Sequence, residues 1–152
     1  MADFKILTGT SVNAMTTELN SLANGSGALG AEWDNSVGLW PFAHALLTVT
    51  FGSNPTASSV CELYLVPAFD GTNYAYNVTG ASPFVAPGFL AGVFVLNATT
   101  SIQRVNLSPI GPLSQVQLPG YKLKAFLINR SGVAFPASGS TVVLYPQSWK
   151  TV

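Results

Sequence analysis

The chain has 152 residues, of which 48% are hydrophobic and only 8% are charged, and its formal net charge is zero. Soluble domains usually carry about 25% charged residues, which keep a lone protein hydrated and dispersed, so this composition indicates a subunit of an assembly. The six Lys and Arg residues are scattered along the chain, which leaves no basic patch for phosphates and excludes a nucleic-acid-binding protein.

The beginning of the chain shows the weakest pattern. Residues 15–23 are long enough for one helical turn, but Asn20, Asn24 and Gly25 limit it. We expect residues 1–25 to form an arm or a loosely ordered segment that reaches a neighbouring molecule. Residues 26–152 contain no internal repeat and no linker, so they are expected to form a single domain.

From about Leu29 onward, apolar and polar residues alternate in short runs that Gly, Pro and Asn interrupt, and this alternation predicts β-strands. The runs are residues 42–51, 60–66, 91–96, 101–107, 121–129 and 140–145. Short strands at this spacing, with no helical periodicity after residue 30, predict an all-β protein folded as an antiparallel β-sandwich. We expect jelly-roll-like connections, which periodicity alone does not fix.

The most apolar stretch of the chain, residues 84–96, contains Pro87 and Gly88. It is also shorter than the about 20 residues that a membrane span needs. We therefore interpret it as a core strand with a turn, and we expect no membrane partner.

The alternation also assigns side chains to the two faces of each strand. Phe126 and Ile128 share the outward phase of Lys122 and Lys124, and Leu46 lies on the outward side of its own strand. Apolar side chains that face outward are typical of contacts between subunits. Leu46, Phe126 and Ile128 are therefore the predicted interface residues.

The chain offers few residues for catalysis, with one histidine, one cysteine and six carboxylates. His44 lies in the middle of a predicted strand, opposite in phase to the aliphatic residues, which is typical of a surface or interface histidine. Cys61 shares the phase of Leu63 and Leu65, which predicts a core side chain rather than a nucleophile. The Asp-containing turns lack the Asp-x-Asp-x-Asp spacing of a calcium loop. We expect a protein that is not an enzyme and that binds no metal and no cofactor.

Aromatic residues near predicted turns form a second kind of candidate site. Trp40, Tyr74 and Tyr76 lie in or beside loops, where aromatic rings can stack on sugars. The same rings are suited to cover the ends of a sandwich or to fill a subunit interface. A glycan platform and a packing role are both open at these three residues.

Several motifs, spread over about residues 19–145, resemble a known family. They are Asn20-x-Leu22-Ala-x-Gly25, Leu29-Gly30-x-x-x-Asp34-Asn-Ser36, Leu63-Tyr-Leu-Val-Pro67-x-x-Asp70-Gly-Thr-Asn-Tyr74, Gln103-Arg-Val105-x-Leu107, Leu118-Pro-Gly120 and Asn129-x-x-Gly132-x-x-x-Pro136-x-Ser138-Gly139. The set is similar to small tailed-phage virion structural proteins of about this length. The resemblance implies a β-sandwich component of the capsid exterior or of the tail, and it carries over no catalytic residue.

Composition and resemblance together predict a bacteriophage virion structural protein, most simply a capsid decoration or cement protein on the head exterior. A tail, collar or fibre-associated protein and a carbohydrate-binding adhesion module are the alternatives. The expected partners are the major capsid protein or tail proteins and further copies of the chain, with a trimer as the first expectation. The expected location is the virion, assembled in the host cytoplasm.

Overall fold

The computed structural model describes residues 4–75, 89–110 and 122–151, which form antiparallel strands and a single 3-10 turn at Thr17–Leu19. The strands are β1 (Phe4–Thr8), β2 (Val12–Met15), β3 (Gly27–Asp34), β4 (Phe42–Val49), β5 (Val60–Pro67), β6 (Phe89–Val95), β7 (Gln103–Ile110), β8 (Lys122–Arg130) and β9 (Thr141–Thr151). No α-helix occurs within the described ranges. The predicted all-β class is confirmed.

The strands form two packed sheets with a nested pairing pattern. One sheet, here sheet A, has the order β1-β9-β4-β7 with β2 also paired to β9, and the other, sheet B, has the order β3-β8-β5-β6. Along the chain β5 pairs with β6, β4 with β7, β3 with β8 and β2 with β9. A long hairpin that is rolled up in this way is a jelly roll, so the expected sandwich and its connectivity are confirmed.

The main core lies between the two sheets and follows the predicted alternation. In β5, Cys61, Leu63 and Leu65 point inward and are buried. Burial raises the pKa of the Cys61 thiol to about 12, so the side chain is a neutral apolar group at ordinary pH. The prediction of a core cysteine is confirmed.

A second, smaller cluster lies on the outer face of sheet B. Val66, Phe126 and Ile128 are buried there beneath Leu29 and Tyr74, with Tyr64 also packed against them. The alternation placed Phe126 and Ile128 on the correct face, but the expectation that they are exposed is wrong. Side chains from neighbouring strands and from the segment after β5 cover them, and strand periodicity contains no information about such a cover.

The expected arm over residues 1–25 is also wrong for its described part, residues 4–25. Strands β1 and β2 both pair with β9, so this segment is part of sheet A. Four of its apolar side chains are buried in the main core: Ala14, Met15, Leu19 and Leu22. Strands this short show little alternation, and their pairing partner lies at the far end of the chain, so the local pattern does not reveal them.

Candidate functional site

The outer face of sheet B carries a polar cluster around Tyr74. Its hydroxyl donates a hydrogen bond of 2.5 Å to Glu32 Oε2, and the Lys122 ammonium lies 2.9 Å from Glu32 Oε1. The Lys124 ammonium lies 4.4 Å from the centre of the Tyr74 ring. Glu32 and Lys122 project from strands β3 and β8, which are adjacent in the sheet.

The charges of this cluster satisfy one another. Partial burial, followed by the hydrogen bond to Glu32, raises the pKa of the Tyr74 phenol. The same hydrogen bond, followed by that from Lys122, lowers the pKa of the Glu32 carboxyl. The phenol and one face of the Tyr74 ring are therefore engaged within the chain.

Trp40 occupies a different environment, in the loop between β3 and β4. Its backbone N–H donates to Asn35 Oδ1 and its carbonyl accepts from Asn35 Nδ2, both at 3.0 Å. Its ring lies against Gly9, where an added Cβ would approach the ring to 2.6 Å. The ring packs on the main core, whereas Tyr74 packs on the outer cluster. The structure does not bring these two members of the predicted glycan platform together, and the third, Tyr76, lies outside the described residues.

The remaining predicted interface residue, Leu46, is half-buried on the outer face of sheet A. Its cross-strand partners are Val143 on β9 and Asn106 on β7. His44, two residues earlier in β4, shares that face and is also half-buried. Leu46 therefore lies on an outer sheet face where both apolar and polar side chains surround it.

The largest exposure of apolar side chains among the described residues lies elsewhere, at one end of the sandwich. The loop between β3 and β4 exposes Val37 by 90% and Leu39 by 63%. Beside it, Ile6 of β1 and Trp149 of β9 are exposed by 61% and 51%. We call these residues, together with Leu7, the apolar end.

A second exposed apolar strip runs along β6, which is an edge strand of sheet B. Leu90, Val93 and Val95 of this strand are exposed. Edge strands usually carry charges or Pro that prevent pairing with other chains, and β6 carries neither. The apolar end and the β6 edge are both typical of surfaces that neighbouring subunits cover.

The opposite end of the sandwich contains a shallow pocket of about 260 Å³. Its lining residues are Asn24, Gly25, Thr56, Ser59, Arg130 and Gly132. Two of the lining side chains are paired, since Arg130 Nε lies 2.6 Å from Glu62 Oε1 and Asn24 Oδ1 accepts from the backbone N–H of Gly132, whereas the buried Ser59 hydroxyl has no hydrogen-bond partner among the described residues.

Within residues 4–75, 89–110 and 122–151, no three His, Cys, Asp or Glu side chains are grouped so that they could hold a metal ion. The same ranges contain no helix with the length and apolarity of a membrane span.

Comparisons with known proteins gave little. No family model matches the sequence, and no curated protein matches it. Among solved structures, the chain is similar to one from Desmodium yellow mottle tymovirus, with 10% sequence identity over 99% of this chain and 88% of that chain, at a TM-score of 0.37. At this TM-score the similarity does not bear on function.

Sequence reasoning missed the apolar end. The run Val37-Gly-Leu39-Trp40 is a sequence signal, since three apolar residues stand in a segment that Asn35, Ser36 and Gly38 mark as a loop. Apolar side chains in a loop are either covered by the chain itself or left for a partner, and only the structure separates the two. Trp40 is covered, whereas Val37 and Leu39 are exposed.

Proposed function

We propose that this protein is a non-enzymatic structural subunit of a bacteriophage virion, and that it decorates or cements the exterior of the capsid. The observation that carries the proposal is a jelly-roll sandwich of almost uncharged composition that exposes aliphatic side chains at the apolar end and along β6. The motif resemblance to tailed-phage virion proteins supports the same role.

The proposed mechanism is burial of these apolar side chains across the seams between capsomers. Each Å² of apolar area that is buried stabilises the contact by about 25 cal/mol, before the cost of association is subtracted. A rigid sandwich loses little conformational entropy on docking, which favours a cementing role. The partners are the major capsid protein and further copies of this chain, with a trimer as the first expectation, and the location is the virion.

The absence of catalytic activity is part of the proposal and has support from two residues. Burial and the raised pKa of Cys61 keep its thiol protonated and out of contact with solvent. His44, the only histidine, is half-buried on an outer sheet face. A Ser-His or Cys-His mechanism needs this histidine beside a nucleophile, and Cys61 lies in the other sheet with its side chain in the main core.

Counting copies in purified particles tests the proposal. Quantitative mass spectrometry, with the major capsid protein as the internal standard, should find hundreds of copies per particle, as expected for a lattice-wide subunit. About six or about twelve copies would indicate the alternative, a tail-associated protein whose copy number follows the symmetry of the tail. Absence from the particle would refute a virion role altogether.

A carbohydrate-binding role has less support. The Tyr74 phenol donates to Glu32, one face of its ring is beneath Lys124, and the Trp40 ring packs on the main core. Stacking on a sugar requires a free ring face. A glycan array that detects binding to the soluble protein, lost on Tyr74→Ala, would favour this role over the one proposed.

A further inference from the structure

Strand β9 extends beyond the sandwich. It pairs with β4 only from Thr141 to Gln147, whereas it pairs with β1 from Gln147 to Thr151. Among the described residues, sheet A is therefore only two strands wide past Gln147. We call this part, residues 4–7 with residues 148–151, the β1–β9 ribbon.

Both faces of the β1–β9 ribbon carry apolar side chains that the rest of the described chain leaves largely exposed. Ile6 and Leu7 are adjacent, so their side chains point to opposite faces, yet they are exposed by 61% and 45%. Trp149, the cross-strand partner of Ile6, contacts Phe42 of β4, with 4.9 Å between the ring centres, and is still exposed by 51%. An isolated two-stranded ribbon is marginally stable in water, so a ribbon with apolar residues on both faces indicates a missing partner.

The charges on the ribbon show what that partner must provide. Lys5 is the direct cross-strand partner of Lys150, and like charges in this position destabilise a strand pair. The ion pairs found among the described residues, Lys122–Glu32 and Arg130–Glu62, involve neither lysine. A surface that combines carboxylates with apolar side chains would therefore match the ribbon in both charge and polarity.

The loops at the same end of the sandwich form such a surface. Asp34 is the last residue of β3, Asp70 follows β5, and both strands end beside the start of β8. Hydrogen bonds from the Ser36 side chain and backbone lower the pKa of the Asp34 carboxyl, and hydrogen bonds from Asn73 and from the Thr72 backbone lower that of Asp70, so both are ionised at neutral pH. Val37 and Leu39 follow Asp34 in the loop between β3 and β4. We call residues 34–39 with Asp70 the acidic loop face.

The acidic loop face is already ordered. Asn35 is fully buried and holds Trp40 through the two hydrogen bonds described above. Leu39 has a φ of 46°, in the left-handed region that a leucine rarely adopts, while its side chain is exposed. The exposed leucine of this ordered loop is thus available for a contact with a second molecule.

We propose that the β1–β9 ribbon of one copy docks on the acidic loop face of a second copy of this chain. The apolar side chains of the two surfaces are buried against each other, and the ribbon lysines face the loop carboxylates. The inference rests on the proposed function, because it supplies the contact by which copies of a virion subunit join. Each copy carries both surfaces at one end, so the contact can close into a ring around a symmetry axis.

Charge exchange between the two surfaces tests the inference. The ribbon variant carries Lys5→Glu with Lys150→Glu, and the loop variant carries Asp34→Lys with Asp70→Lys. In sedimentation experiments the wild-type protein should be an oligomer at tens of micromolar, and each variant alone should associate at least about tenfold more weakly. An equimolar mixture of the variants should regain association, because each supplies the charge that the other lacks.

Matched controls are available at exposed charges away from this end. Arg104→Glu on β7 and Glu18→Lys within the 3-10 turn change the net charge by the same amount per substitution and should leave association unchanged. Circular dichroism must show that every variant is folded. A wild-type monomer, unchanged association in both folded variants, or a mixture that stays dissociated would overturn the inference.

A second measurement requires no variant and so remains informative if a substituted loop fails to fold. A carbodiimide joins an amine directly to a carboxylate, and it should link Lys5 or Lys150 of a labelled copy to Asp34 or Asp70 of an unlabelled one. Cross-links between copies that avoid these four residues would contradict the inference. Copy counting in particles does not depend on the ribbon. A protein present in hundreds of copies without these links would refute the ribbon contact and leave the proposed function standing.

Discussion

Replacing Phe126 with Ala distinguishes a residue of the outer cluster from an exposed interface residue. Phe126 is only 1% exposed, beneath side chains from neighbouring strands and the segment after β5. Removing a buried phenylalanine side chain costs its transfer free energy and leaves a cavity, together about 3–5 kcal/mol. We expect Phe126→Ala to lower the free energy of unfolding by that amount.

The matched control is Phe89→Ala, the same substitution on edge strand β6. Phe89 is 44% exposed, so its truncation removes only part of the about 1.5–3 kcal/mol that full burial provides. We expect a loss of about 1 kcal/mol, measured by urea unfolding with tryptophan fluorescence. The measurement should be repeated at several protein concentrations, because association stabilises the folded state. Equal losses for the two variants, or a loss below about 1 kcal/mol for Phe126→Ala, would show that sheet B has no covered outer cluster.

The other predictions concern single side chains. Because burial raises the pKa of Cys61 to about 12, we expect a thiol reagent at pH 8 to modify it only after urea is added, and rapid modification of folded protein would contradict the strand assignment. Leu65→Ala should lower the free energy of unfolding by about 2–5 kcal/mol in the same assay, because Leu65 lies in the main core. An unchanged free energy of unfolding would show that β5 does not contribute Leu65 to that core. Hydrogen bonds from Asn73 and Thr72 lower the pKa of Asp70 from 3.8 to about 2, so its stabilisation is present above pH 3.8 and is lost as the pH falls towards 2. Thermal melting of Asp70→Asn should therefore depend less steeply on pH in that window than melting of the wild type, and identical slopes would refute this.

The fold class could be predicted from the sequence because each strand that lies in a sheet interior shows its own alternation. Cys61, Leu63 and Leu65 are an example, since their spacing alone places them on one buried face. The pairing partner of a strand could not be predicted in this way. Phe4 pairs with Thr151, for example, and no local pattern connects two residues so far apart in the sequence. The same limit explains why β9 extends past the predicted residue 145, since β1 supplies the partner for the extension.

Interface residues could not be predicted from phase for a related reason. Phase gives the face of a strand, while exposure depends on what packs above that face. Phe126 and Leu46 have the same outward phase, yet one is covered by its own chain and the other is half-exposed. Trp40 and Tyr74 are both loop aromatics in the sequence, but sheet B lies between the main core and the outer cluster on which they pack.

Cryo-electron microscopy of the phage particle tests the proposed role most directly. We expect density for this jelly roll repeated over the exterior of the head, with the apolar end or the β6 edge in contact with capsomers or neighbouring copies. Density confined to the tail or collar would contradict the decoration role. A sandwich that is absent from the particle would contradict the structural role itself.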